Sequence, residues 1–294
     1  MTEVNTGKPR LSPRAILLIE VALAMGGFAI GTGEFAIMGL MPNVAQGLCI
    51  SEPQVGHVIS TYALGVVVGA PLLAIFGARM FRRHLLLLLM TFFALGNFAS
   101  AVAPDYHTLM LFRFIAGLPH GAYFGVAMLV AASMVAPDQR AKAVSRVLAG
   151  LTIAMLIGNP TATWLGQWLS WRWAFGLVGL IALLTVLLVA IFLPLDRSEP
   201  RNNPMRELRD FNRKPVWLAL AISSIGFAGM FCVFSYLAPT MLEVTGVGEK
   251  TGFRWGWRRS GWAVSSATSL AAGCSTSCAS RPSAGCCCGA LPSC

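Results

Sequence analysis

The chain has 294 residues, of which 56% are apolar and only 12% charged, and its net charge is +10. A soluble domain of this length carries roughly twice that share of charge, so the composition is that of a membrane protein. The basic excess does not point to nucleic acid, because the Lys and Arg residues lie in short clusters between apolar runs, where they report orientation.

Seven segments are long and apolar enough to cross a bilayer, which takes roughly 20 residues each. They cover about 15–41, 55–77, 84–103, 107–134, 143–166, 172–195 and 215–241. With no water in the hydrocarbon, such spans must be helices. Lys8, Arg10 and Arg14 precede the first run, as in a signal peptide. The run is too long for one and contains Glu20 and Glu34, so it is expected to be a retained helix.

Basic residues alternate between successive links. They are present in the N-terminal arm, in the second link (Arg79, Arg82, Arg83) and in the fourth (Arg140, Lys142, Arg146). They are absent from the first and third links, and the fifth has only Arg172. The pattern places the N-terminus in the cytoplasm, with the chain crossing the membrane several times. The sixth link is long, charged with both signs and broken by Pro200 and Pro204, which reads as a linker between two bundles. The expected organisation is a cytoplasmic arm at 1–14, a six-helix transmembrane bundle at 15–195, a cytoplasmic linker at 196–214 and a seventh transmembrane helix at 215–241.

Beyond that helix the text changes. From Thr251 onward it has no acidic residue, no Ile, no Tyr and no Asn, and it is made largely of Gly, Ala, Ser, Arg, Cys and Trp. Residues 249–294 read as a low-complexity tail, the product of a GC-rich gene read out of frame; a real low-complexity tail is the alternative. Six of the eight cysteines crowd this tail, while Cys49 and Cys232 stand alone upstream. All four histidines lie upstream as well, and the spacing fits no standard zinc pattern. No metal, no cofactor and no enzymatic machinery is expected: there is no phosphate loop and no nucleophile triad.

A few polar residues inside the spans are the candidates for function. Glu34, in Gly31-Thr32-Gly33-Glu34-Phe35, is a carboxylate in a membrane span, which normally faces a cavity or a partner. It can exchange a proton or bind a cation there, or else snorkel to the interface. Glu20 reads as half of a structural ion pair. Arg113, Gly117, His120 and Phe124 share one face of the fourth helix. Arg113 can bind an anion or bias a nearby carboxyl, and His120 can join a proton relay; an interfacial Arg and a histidine bonded between helices are the plainer alternatives. Gly117, Gly121 and Gly125 form a small-residue ridge, and Ala154, Gly158, Ala162 and Gly166 form another, so helix backbones can approach closely at both. Pro160 in the second ridge would bend its helix.

At this level of detail the chain resembles a known family. The runs Ser60-Thr61-Tyr62-Ala63-Leu64-Gly65-Val66-Val67-Val68-Gly69-Ala70-Pro71-Leu72, Pro119-His120-Gly121-Ala122-Tyr123-Phe124-Gly125 and Ser170-Trp171-Arg172-Trp173-Ala174-Phe175 are similar to the major facilitator superfamily. Within it the chain resembles bacterial arabinose efflux permeases, in the drug:proton antiporter branch, over residues 15 to about 247. The resemblance implies a twelve-helix fold of two six-helix bundles around a central cavity, and proton-driven export of sugars or drugs. The fold class expected here is an all-α membrane protein, with the superfamily's N-terminal six-helix bundle plus one helix of the second bundle.

By the same resemblance, Glu34 is the cavity carboxylate of the first helix, and Arg113 and Gly117 match a fourth-helix motif tied to proton coupling. Gly150, Gly158, Pro160 and Gly166 loosely match the fifth-helix antiporter motif, with Asn159 where a Gly often sits. The loop holding Arg79, Arg82 and Arg83 departs from its pattern, with Ala78 in place of Asp and Phe81 in place of Gly. The implied partners are membrane lipid, a small-molecule substrate and protons. Most of the second bundle is missing, so the fifth-helix ridge is expected to lack its partner and the chain to be inactive alone. Two other readings are a seven-helix receptor and a non-functional fragment. Substrate identity and oligomeric state are beyond the sequence.

Overall fold

The computed structural model describes residues 12–77, 80–195 and 214–245, and all regular structure among them is helical. The N-terminal arm through residue 11, Arg79, the linker 196–213 and the tail from 246 lie outside the described residues.

Helix α1 (Pro13–Gly39) begins where the Ser12 hydroxyl accepts the Ala15 N–H, with Pro13 in the first turn, a favoured start. It stops one residue before Leu40, and a short helix α2 (Met41–Leu48) follows, with Pro42 in its first turn. The first span was expected to run on to Met41; Pro42, which lacks an N–H, starts a new helix instead. The remaining spans are α3 (Glu52–Gly77), α4 (Arg82–Ala101) and α5 (Tyr106–Ser133). Asp105 caps α5, accepting from the Thr108 N–H and hydroxyl, each at 2.9 Å. Those bonds, the backbone one foremost, hold its carboxyl below the usual carboxylate range.

The fifth span is built in three parts. Helix α6 (Arg140–Ile153) leads into a π turn (Ala154–Gly158), and α7 (Asn159–Trp168) completes it. Pro160 cannot donate to the carbonyl of residue 156, and the ladder widens in the turn just before it. The bend expected at Pro160 therefore takes the form of a π segment. Helices α8 (Trp171–Phe192) and α9 (Lys214–Thr245) are the sixth and seventh spans. Seven helices among the described residues are long and apolar enough to cross a membrane.

Glycines decide which spans touch. A Cβ on Gly65 would strike the Phe114 carbonyl, one on Gly69 the Leu118 backbone, and one on Gly117 the Tyr62 carbonyl. So α3 and α5 meet backbone to backbone. Gly121 continues that seam against Ala70, but Gly125 faces open space and does not belong to it. The second ridge is not partnerless. Gly150 lies against the Ala24 backbone, Gly158 against Thr32 and Phe28, and Gly166 against Leu40, all on or just past α1.

Helices α4 and α8 run antiparallel and are tied at both ends. Arg83 at the start of α4 donates to the Ala190 carbonyl in the last turn of α8 (2.6 Å). Arg172 at the start of α8 donates to the Ala103 carbonyl just past α4 (3.1 Å). Each cation meets the negative end of the other helix. Of the loop arginines singled out from the sequence, Arg83 thus acts as a helix clasp. Glu20, 1% exposed, pairs with Arg146 of α6 at 2.7 Å, the ion pair expected of it.

Adding one methyl group separates the two kinds of glycine. Gly117→Ala forces a Cβ into backbone and should cost about 1–3 kcal/mol, seen as a lower melting temperature in detergent. Gly125→Ala should leave the melting temperature unchanged. Equal effects would mean the seam is not tightly packed.

Candidate functional site

Arg113 is the largest fully buried side chain in the bundle, with 0% exposure. This excludes the interfacial alternative for it. Its Nη2 donates to the Gly33 carbonyl at 3.0 Å, in the turn that carries Glu34. The Tyr62 ring lies 4.3 Å from the guanidinium carbon and the Phe175 ring 5.1 Å. Cation–π contacts of this kind contribute up to ~2 kcal/mol when desolvated. Nε and Nη1 have no hydrogen-bond partner among the described residues. A buried cation with spare donors is costly to a fold, so its retention points to use.

The Glu34 side chain lies in a cavity of about 310 Å³ that Arg113 and Tyr62 also line. Met38, Ile59 and Ser60 continue the wall on α1 and α3, and Phe231, Cys232 and Ser235 of α9 close the far side. Phe231 stacks on Phe35 at 5.5 Å, and the Ser235 hydroxyl reaches the Met38 sulfur at 3.8 Å. The cavity thus joins one acid, one base and several hydroxyls inside an otherwise apolar wall.

Tyr62 is the residue that reasoning from sequence did not single out. Its hydroxyl lies 2.9 Å from His120 Nδ1, and its ring supports Arg113. It therefore connects the histidine to the cation. Tyr62 was part of a recognisable run in α3, but nothing in spacing says that α3 packs on α5 at this height; the contact at Gly117 does. His120 is held between two helices, as the plainer reading of it has it, and its ring also packs on Phe124 at 5.5 Å. Gly117 and Gly121 make the approach possible, while Gly158 and Pro160 act elsewhere, on the fifth span against α1. Arg82 and Arg83 lie at the start of α4, on the second link, remote in sequence and role from this cavity.

Seven spans around such a cavity find their counterpart among known proteins. The profile of the Major Facilitator Superfamily matches residues 23–285. The chain belongs to the Major Facilitator Superfamily. The inner membrane transport protein YdhP of Escherichia coli K12 is 41% identical over 225 residues, 76% of this chain and 58% of that one. The chloramphenicol resistance protein of Streptomyces lividans is 31% identical over 241 residues, 81% of this chain and 60% of that one. Among solved structures, a bacterial homologue of the human lysosomal transporter Spinster, inward-facing and unoccupied, superimposes with a TM-score of 0.68 at 19% identity. That match covers 88% of this chain and 61% of the other. The chain spans about 58% of the length of its curated relative YdhP.

Membership settles the class. This is an all-α, multi-pass membrane protein with the N-terminal six-helix bundle of the superfamily and one helix beyond it. Superfamily members are transporters, not enzymes, as expected, and the receptor reading falls away.

Two variants separate the roles of Tyr62. Tyr62→Phe keeps the ring beneath Arg113 and loses one hydrogen bond, worth ~1 kcal/mol. Tyr62→Leu loses the ring as well and should be clearly more destabilising in denaturant titrations. Equal losses would show that the ring does not support Arg113.

Proposed function

We propose that this chain carries the proton-coupling half of an efflux transporter of the bacterial inner membrane, exporting a sugar or a drug-like small molecule in exchange for protons. Its N-terminus lies in the cytoplasm. The organisation behind this reading is an arm at 1–14, the bundle at 15–195, a linker at 196–214 and a seventh helix at 215–241. The observation that carries it is the fully buried Arg113, anchored on the Gly33 carbonyl, in the same cavity wall as Glu34.

In this reading Glu34 takes up and releases the proton, because a carboxyl in a membrane cavity is favoured neutral when dry and charged when wetted. Arg113 is the fixed positive charge that makes the ionised state tolerable. His120 is hydrogen-bonded to Tyr62, whose ring holds Arg113 in place, so the three form a chain of contacts between α3 and α5. A hydroxyl-bearing substrate meets Ser60 and Ser235 as donors and acceptors, and the Phe231 ring as an apolar face. Names among the relatives, a chloramphenicol resistance protein included, support export of such compounds.

Transport in such folds comes from two halves rocking about a shared site. The 294-residue chain supplies a cavity walled by α1, α3, α5 and α9 only, so by itself it is expected to move no substrate in proteoliposomes. Fusing residues 12–245 to the C-terminal part of YdhP tests the bundle directly. In everted vesicles the chimera should release protons when substrate is added, and Glu34→Gln should abolish that release at least tenfold. Export by the chimera that is indifferent to pH and to Glu34→Gln would overturn the reading. So would uptake by the unfused chain that Glu34→Gln removes.

A further inference from the structure

A second cavity, of about 410 Å³, opens at the end of the bundle away from the basic links. Helix α2, the end of α7 and the start of α8 enclose it. Side-chain amides of Asn43, Gln46 and Gln167, the Ser170 hydroxyl and the Arg172 guanidinium line it. Arg172 is the one charged residue among its described lining, and no carboxylate accompanies it. The guanidinium lies over the Trp171 ring, 4.4 Å from its centre, and Nη1 donates to the Ala103 carbonyl, its one hydrogen-bond acceptor among the described residues. Stacking and clasp together fix the fork in one orientation, which suits contact with two oxygens of one phosphate group.

What surrounds the cavity says what brings the anion. Trp168 is 68% exposed, Leu169 60% and Trp173 59%, and Trp164 packs beside Trp168 with ring centres 6.0 Å apart. Indoles at span ends sit at the head-group level of a bilayer, with apolar bodies against acyl chains. A free inorganic ion would leave these side chains without a partner. A phospholipid uses both halves of the site at once.

We propose that this cavity is a binding site for the phosphate head group of an anionic phospholipid. The phosphodiester accepts from the free edge of Arg172 and from Gln46 and Gln167. The glycerol portion occupies the amide-lined space, and the acyl chains descend past Trp164 and Trp168. Bound there, one lipid bridges α2, α7 and α8. The site is separate from the Glu34 cavity, so it stands whether or not the transport reading holds.

The test uses the purified 294-residue chain and native mass spectrometry, with phosphatidylglycerol, phosphatidylethanolamine and phosphatidylcholine offered in equal amounts. One phosphatidylglycerol should be retained about tenfold more strongly than phosphatidylcholine, the scale of one charge-assisted contact set. Arg172→Gln should bring the two lipids level, while Arg140→Gln on the opposite face should leave the preference intact. Gln46→Ala with Gln167→Ala keeps the Arg172 clasp on Ala103, and should still weaken phosphatidylglycerol three- to fivefold. That pair decides the matter if Arg172→Gln does not fold. The proposal is overturned if the three lipids are retained alike, if both variant sets keep the full preference, or if millimolar inorganic phosphate displaces the lipid, which would make this an anion site alone.

Discussion

A positive charge without water is the constraint around which this bundle is arranged. Arg113 is fully buried, and an isolated cation in such a place would be prohibitive. Three neighbours make it tolerable: the Gly33 carbonyl as acceptor and the Tyr62 and Phe175 rings as quadrupoles. These come from α1, α3 and α8, so the relative placement of four spans is set by one guanidinium. The Tyr62 ring reaches it because Gly65, Gly69 and Gly117 let α3 and α5 meet at backbone distance. Bulk at any of the three would push α3 away and leave the cation with less cover.

Elsewhere, one pair of spans is locked at both ends and one span carries a break in its hydrogen-bond ladder. Helices α4 and α8 are clasped at both ends by Arg83 and Arg172, each on the other helix's terminal carbonyls. Such reciprocal clasps resist sliding. The fifth span has the opposite character. It packs its small residues on α1, yet its ladder opens into a π turn beside Asn159, a buried amide with no partner among the described residues. Near its start it is held to α1 by Arg146, which is partly exposed, on the buried Glu20.

Much of this was legible in the sequence, and the missing parts share a cause. Hydropathy gave the seven spans to within a few residues, since the bilayer imposes one length and one polarity on each. The recurring runs around Tyr62, His120 and Trp171 were enough for the family. The odd polar residues inside spans, Glu34 and Arg113, stood out because hydrocarbon makes them costly. What failed was pairing between spans. Nothing in periodicity told that the Gly158 ridge meets α1, that Gly125 faces open space, or that Tyr62 rather than His120 touches the cation. Those facts depend on how helices are rotated about their axes, and in lipid every face is apolar, so no polarity gradient reports the rotation. The tail from 249 lies outside the described residues.

The central claim is that Glu34 and Arg113 act as one electrostatic unit. Infrared spectroscopy of the purified chain in nanodiscs reads it directly, through the carbonyl stretch of a protonated carboxylic acid followed across pH. The Glu34 band is the one that Glu34→Gln removes. In Arg113→Gln, checked for unchanged helicity, the titration midpoint of that band is predicted to move by about one unit or more. A midpoint that stays in place when the cation is gone would contradict the account.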